Sequence, residues 1–442
     1  MKLSGWGRYP VVDCGTAALR GPEDLGGVLA RRGTLIARGQ GRSYADAALN
    51  RDLTLSTLGL GRMQAFDADT GVLTCEAGVG LDDILRTFVP RGWFPPVVPG
   101  TKFVTVGGMI AADVHGKNHH RDGTFGAHVE ALTLATADGE VRLCNRLEHA
   151  DLFRATLGGM GLTGVILSAS FRMQPIETSF VLAETVAAAD LDAAMAVFEA
   201  SHDWPYSVAW IDCLARGRRL GRSLVLRGAP MRRRALPAAL ASRPLRPAPE
   251  GRIRMPVDAP SLLLNRWSVG LFNGLYHRRG RARPGPRPVH FDPFFFPLDR
   301  IDGWNRLYGR RGFVQYQCVL PASESAAGLA ALLGCVSVAG QGSFLAVLKR
   351  FGPAGEGLMS FPAEGYTLAL DLPLRRGTLA LVDALDGITH AHGGRVYFAK
   401  DACCRPERMR EGYPQHAAFD ALRKAWGAPR KFASELSRRL EL

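Results

Sequence analysis

A chain of 442 residues exceeds the size at which one hydrophobic core usually stops growing, so two domains, or one domain with a large insertion, are expected. With 47% hydrophobic and 22% charged residues, and no apolar run of about 18 residues, the composition is that of a globular protein and excludes a membrane-spanning helix. A formal charge of +14 points to nucleic acid, an anionic membrane surface or a phosphorylated substrate, and the lack of any recognised nucleic-acid motif sets the first aside.

The chain opens on Met1-Lys-Leu-Ser-Gly-Trp6, too polar for a signal peptide, so a cytoplasmic location is expected. Positions 34–172 read as short strands joined by glycine-rich turns. Within them an apolar strand enters the turn Gly39-Gln-Gly-Arg-Ser-Tyr44, where bare backbone N–H groups can converge on an anion. A strand over 72–77 leads through Gly78-Val-Gly80 into a helix with Asp82 and Asp83 in its first turn, ended by Pro90 and Gly92. The alternating segment 131–143 turns at Asp138-Gly139 and predicts a hairpin.

Between them lies Pro99-Gly-Thr-Lys-Phe-Val-Thr-Val-Gly-Gly108, continuing into Asp113-Val-His-Gly-Lys-Asn-His-His120. Gly100, Gly107, Gly108 and Gly116 permit the close approach that a pyrophosphate needs, whereas a packed turn is the alternative. No G-x-G-x-x-G stands between a strand and a helix with an acidic residue downstream, which disfavours a Rossmann site.

Beyond Pro175 the texture changes to α+β, with helices expected over 191–201 and 325–338 and strands over 314–320 and 366–372. Two Arg, Pro and Gly-rich stretches, from Met231 to Arg254 and from Arg278 to Arg287, oppose regular packing and read either as solvated loop or as a mobile flap touching headgroups or a substrate phosphate. A strand over 395–400 and helices over 415–426 and 431–440 close the pattern. The eight cysteines show neither C-x-x-C pairs nor histidines at zinc spacing, so no metal site is expected and Cys403-Cys404 reads as incidental.

The glycine turns at 39–44 and 99–108, with Gly158-Gly-Met-Gly-Leu-Thr-Gly164, resemble the FAD domain of the vanillyl-alcohol oxidase superfamily. Within it, Gly41-Arg-Ser-Tyr-Ala-Asp46, Asp113 to His120, Trp304-Asn-Arg-Leu-Tyr-Gly309, Gln315-Tyr-Gln317, Leu348-Lys-Arg-Phe-Gly352, Tyr397-Phe-Ala-Lys-Asp401 and the terminal Arg438-Arg-Leu-Glu-Leu442 resemble the decaprenylphosphoryl-ribose oxidase family, in order and over nearly the whole chain.

The resemblance implies an α+β flavoprotein with an FAD-binding domain over 1–176 and 395–442. An antiparallel-sheet substrate domain would span 177–394, with a mobile Arg/Pro-rich region at about 231–287. It implies FAD contacts from Arg38, Gly39, Gln40, Gly41, Arg42, Ser43 and Tyr44, and from Pro99, Gly100, Thr101, Val106, Gly107 and Gly108. Further along, Ala111, Ala112, His115, Gly116, Asn118, Gly164, Ile166 and Tyr397 complete that set. Arg42 stands where relatives that attach FAD covalently carry His, so the FAD is expected to be non-covalent.

The resemblance also implies Lys400 as the acid or base of an alcohol oxidation, with Tyr44 and His115 flanking flavin and sugar. Only seven residues are Lys in a chain whose 55 cations are otherwise Arg, and Arg could not release a proton at neutral pH. Lys117, Tyr308, Gln315, Gln317, Lys349 and Ala369 would meet the substrate. Ala369 departs from the mycobacterial members, whose cysteine there is attacked by covalent nitro-aromatic inhibitors.

The implied reaction is oxidation of the 2-hydroxyl of polyprenylphosphoryl-β-D-ribose, completed to an arabinose donor by a separate NAD(P)H-dependent short-chain reductase. Peripheral contact with the inner membrane would accompany it. Oxidation of a free sugar, alditol or aldonolactone is the alternative, and a catalytically silent flavin- or lipid-binding module is a third.

Overall fold

A computed structural model describes residues 1–249, 251–260, 264–282, 285–342 and 344–442. The first part of the chain builds a three-stranded parallel sheet, in the order Thr16–Ala18, Leu53–Ser56, Leu35–Arg38. Beside it lies a five-stranded antiparallel sheet, in the order Val141–Asn145, Val129–Ala135, Val165–Arg172, Val72–Glu76, Met63–Asp67. The expected hairpin forms at Asp138-Gly139, where Gly139 takes a φ of 90° and Val141 pairs with Ala135. Helix Leu81–Phe88 follows its strand as expected, burying Leu81, Ile84, Leu85 and Phe88, and Gly92 stops it with a φ of 83°.

The middle of the chain builds an eight-stranded antiparallel sheet. Its order is Arg287–His290, Phe180–Ala188, Ser223–Pro230, Tyr206–Ile211, Ala346–Phe351, Gly365–Pro373, Phe313–Pro321, Arg395–Val396. Helices Leu191–Glu199, Ser325–Ala339 and Thr378–Ala391 cover one face. Strand side chains alternate between faces, so the residues that meet those helices fix which ones point the other way. Val314, Tyr316 and Cys318, Leu368, Leu370 and Leu372, and Ala346 and Leu348 are buried in the helix-covered core. Their neighbours Gln315, Gln317, Ala369, Asp371 and Lys349 therefore share the opposite face.

Three expectations need correction. The strand foreseen over 395–400 is only Arg395–Val396, because the Tyr397 N–H still donates to Gln317 O at 2.9 Å but the chain then turns, Lys400 N–H donating back to Tyr397 O. The last helix runs Glu435–Leu440 rather than from Lys431, since Phe432 bridges to Leu35 in extended form and Ser434 caps the helix by accepting from Ser437 N–H. The second Arg-rich stretch begins inside a regular helix, Arg266–Arg281, started by a capping box between Asn265 and Ser268.

The tail thereby locks onto the first sheet. Leu35 N–H donates to Lys431 O at 2.7 Å, Glu435 N–H to Leu49 O at 2.8 Å, and the Arg439 guanidinium reaches Asp46 at 3.0 Å and Asp401 at 2.9 Å.

Candidate active site

A cavity of about 670 Å³ runs between the glycine turns of the first part and the open face of the eight-stranded sheet. That volume suits a bound organic ligand or cofactor. Its first wall is Gly39, Gln40, Gly41, Arg42, Ser43 and Tyr44. Gly41 has a φ of 63°, and a Cβ on Gly39 would stand 2.2 Å from Thr105 Oγ1, so these two positions disfavour any larger residue. Arg42 lays its guanidinium 4.1 Å from the centre of the Trp6 ring.

The second wall is Pro99, Gly100, Thr101, Gly107 and Gly108. Asp299 clamps it from the middle of the chain, accepting from the Thr101 hydroxyl at 2.8 Å and from Lys102 N–H at 2.7 Å. A Cβ on Gly100 would meet nothing within 4 Å, whereas on Gly107 it would meet Ala77 Cβ at 2.9 Å and on Gly116 Asn118 Oδ1 at 2.5 Å. Bare backbone thus faces the cavity along two turns, which fits an elongated dinucleotide with a pyrophosphate. Ala111, Ala112, His115, Gly116, Gly164, Ile166 and Tyr397 also line it.

Four of the expected residues stand behind these walls rather than in them. Arg38 donates to Ser4 O at 2.8 Å and lies where a Cβ on Gly41 would go. Val106 is fully buried in the first turn of the short helix Val106–Ala111. Asn118 donates to Pro96 O at 2.8 Å and Asp122 Oδ2 at 2.6 Å, bracing the loop. Tyr308 is stacked on Phe313 with ring centres 4.1 Å apart and donates its hydroxyl to Asp371 Oδ2 at 2.9 Å.

The sheet face carries the polar end. Lys117, Gln315, Gln317, Lys349, Ala369 and Lys400 line the cavity together. Lys400 Nζ sits 3.6 Å from the centre of the Tyr44 ring, itself held by Tyr44 N–H donating to Ala399 O at 2.8 Å. Burial lowers the Lys400 ammonium well below the ordinary lysine value, with Asp371 opposing and Lys349 adding to the shift. Burial raises Asp371, which accepts hydrogen bonds from Tyr308 and Gln315.

Lys349, lowered by burial to about 8, lies 3.3 Å from His115 Nδ1. His115 is driven well below the usual histidine range by burial and then by Lys349, so its imidazole is neutral. A protonated Lys349 can only donate to Nδ1, and the Gln317 amide nitrogen, 3.2 Å from Nε2, can likewise only donate, so the two neighbours compete for the single acceptor nitrogen of the neutral ring. Lys117 is lowered to about 7 by burial and then by Lys349, and donates to Phe295 O at 3.1 Å. Three partly buried lysine amines around one space favour an anionic ligand, which would hold them protonated. His119 and His120 stand aside, His119 Nδ1 accepting from Gly352 N–H at 3.2 Å and His120 Nε2 lying 3.0 Å from Trp204 O.

Sequence reasoning missed Asp371 and Asp299. Asp371 interrupts an otherwise apolar alternation in Gly365–Pro373, and an acid at an inward strand position was the available signal. Asp299 gives no such signal in the sequence.

The family described as FAD binding domain matches residues 28–145. Over its full length the chain is 36% identical to decaprenylphosphoryl-β-D-ribose oxidase of Mycolicibacterium smegmatis, covering 97% of that protein. It is 40% identical over 82% of its length to an uncharacterized protein of Streptomyces coelicolor, all of which it covers. Similarity to L-gulonolactone oxidase of Mus musculus, at 32% identity, is confined to 32% of the chain and 33% of the relative.

Proposed function

The chain belongs to the decaprenylphosphoryl-β-D-ribose oxidase family, two-domain FAD-dependent oxidoreductases of the vanillyl-alcohol oxidase type, and we propose that it oxidises the 2-hydroxyl of polyprenylphosphoryl-β-D-ribose to the ketone. The observation that carries this reading is 36% identity over the full length of the chain to a decaprenylphosphoryl-β-D-ribose oxidase, together with Lys117, Lys349 and Lys400 converging on one cavity.

FAD, which the glycine turns at 39–44 and 99–108 would hold without a covalent link, would supply the acceptor for the hydride leaving the sugar carbon. Lys400 Nζ takes the hydroxyl proton, its lowered basicity keeping a neutral amine available near neutral pH. Asp371, held by hydrogen bonds from Tyr308 and Gln315, supplies the negative charge that opposes the lowering of that amine. Neutral His115 and Gln317 orient the sugar hydroxyls, and Lys117 and Lys349 meet the phosphate, which restores their full positive charge. Tyr44 walls the sugar against water.

A ketone product needs a reductant to become an epimer, and a short-chain NAD(P)H-dependent reductase acting next suits that need. The lipid substrate brings the protein to a membrane surface at the cytoplasmic side. Among the described residues no helix is long and apolar enough to cross one.

The test is anaerobic bleaching of the visible flavin band by farnesylphosphoryl-β-D-ribose, compared with ribose, xylitol and gulonolactone. The expected result is bleaching by the prenyl-phosphate sugar alone, and Lys400→Met should keep the flavin band while bleaching at least about a hundredfold more slowly. Equal or faster bleaching by a free polyol or the lactone would overturn the substrate assignment.

A further inference from the structure

Helix Arg266–Arg281 is packed the reverse way for an element facing water. Its inward stripe, at spacing four, is Val269, Asn273 and His277, with Asn273 wholly buried and its Nδ2 donating to Asp212 Oδ1 at 2.7 Å. Gly280 presses on the neighbouring strand so closely that a Cβ there would stand 2.3 Å from Leu224. The opposite stripe, at the same spacing, is Trp267, Leu271 and Leu275, exposed by 75%, 68% and 59%. A helix on a water-facing surface turns its apolar groups inward, and this one turns them out.

The helix carries Arg266, Arg278, Arg279 and Arg281 and no Asp or Glu. One flank of the helix also leads to the cavity, for Tyr276, Arg279 and Gly280 line the cavity wall. The Tyr276 ring lies 4.9 Å from Trp210 and stacks 5.7 Å from Phe272, which in turn lies 5.8 Å from Phe344. An apolar stripe, an aromatic bridge to the cavity and a purely cationic flank therefore occupy one helix.

We propose that this helix is a membrane-docking element, with Trp267, Leu271 and Leu275 entering the headgroup and acyl boundary of an anionic bilayer while the arginines meet lipid phosphates. The cavity mouth beside Tyr276 then opens onto the membrane plane, and a polyprenyl chain passes from bilayer to cavity along Tyr276 and Phe272. Docking stands on the helix itself, whereas the chain path rests on the polyprenyl-phosphate reading. A second copy of this chain is a poor occupant of the same face. It would set two clusters of arginines against each other with no carboxylate on either helix.

The test is co-sedimentation of FAD-loaded protein with vesicles of phosphatidylcholine alone and of phosphatidylcholine with phosphatidylglycerol. The protein should partition onto the anionic vesicles, and the combined Trp267→Ser, Leu271→Ser and Leu275→Ser variant should lose more than about tenfold in partitioning. The variant should keep its flavin and its bleaching by soluble farnesylphosphoryl-β-D-ribose. Equal partitioning of variant and parent, or none by the parent, overturns the proposal. So does a dimer abolished by the variant in the absence of vesicle binding, which would give this face to a second copy. Loss of bleaching by the prenyl sugar with vesicle binding intact would instead remove the substrate reading and leave docking standing.

Discussion

Replacing Lys117 with Met should make the substrate-free protein more stable and the enzyme worse. Burial and the neighbouring Lys349 bring the Lys117 ammonium from 10.5 down to about 7. At about 1.4 kcal/mol per tenfold in proton affinity, the charged form is disfavoured inside the fold by roughly 5 kcal/mol relative to water. Met matches the length of the side chain but abandons Phe295 O, a loss of about 1–3 kcal/mol, which leaves a net gain of roughly 2–4 kcal/mol. The folded-state value is depressed, so between about pH 7 and 10.5 the unfolded chain holds the extra proton and stability rises with pH. The gain from Lys117→Met is therefore full below about pH 7 and has shrunk by about 3 kcal/mol at pH 9. Thermal unfolding of the flavin-loaded variant and parent should differ by roughly 5 °C near pH 6.5 and hardly at all near pH 9. Flavin reduction should meanwhile need about tenfold or more extra substrate, since a charged hydrogen bond to phosphate is gone. A lowered Tm at pH 6.5, or a gain of equal size at both pH values, would refute this account of the buried cluster.

Asp371→Asn removes an acidic influence that raises Lys400, so the ascending limb of flavin reduction against pH should move about one pH unit lower, and an unmoved limb would show that Asp371 does not tune this amine. Acid precipitation of the holoprotein should leave the flavin in the supernatant, and yellow colour in the pellet would contradict non-covalent attachment. Ala369 faces the cavity, and among the described residues no cysteine lines it, so turnover with a nitro-aromatic inhibitor of the covalent type should add no mass to the intact protein. Ala369→Cys should restore the adduct.

Much of this site was legible because period-two strands and glycine turns are local signals. The alternation around Asp138-Gly139 gave the hairpin directly, and Gly39 and Gly107 had to be glycine because of neighbours a few ångströms away. The polar face of the large sheet follows from the same alternation once the apolar set is assigned to the helices. What was not legible depends on distant partners. Asp371 draws its role from Tyr308, Gln315 and Lys400, and Asp299 from Thr101 and Lys102. Lys400 was placed on a strand because Val396 and Tyr397 still follow the ladder, and nothing in the local sequence marks the turn that swings its amine over Tyr44. Helix Arg266–Arg281 was hidden by its composition, since the usual rule expects apolar residues on the packed side and here they stand on the other.

The clasp between Leu35 and the segment around Phe432 bears on how the flavin site comes into being. The strand that delivers the turn at 39–44 takes one neighbour from Leu53–Ser56 and the other from residues nearly 400 positions downstream, with Arg439 pinning Asp46 beside that turn. Closing a loop of that length before any local reward is slow and entropically unfavourable. Cut out alone, the segment recognisable as an FAD-binding module by its sequence would lack the partner that borders its edge strand. A nascent or truncated chain carrying only that segment would hold every cradle glycine and still lack the rigid edge that keeps them in register, so affinity for the cofactor should arise only once the distal segment has docked.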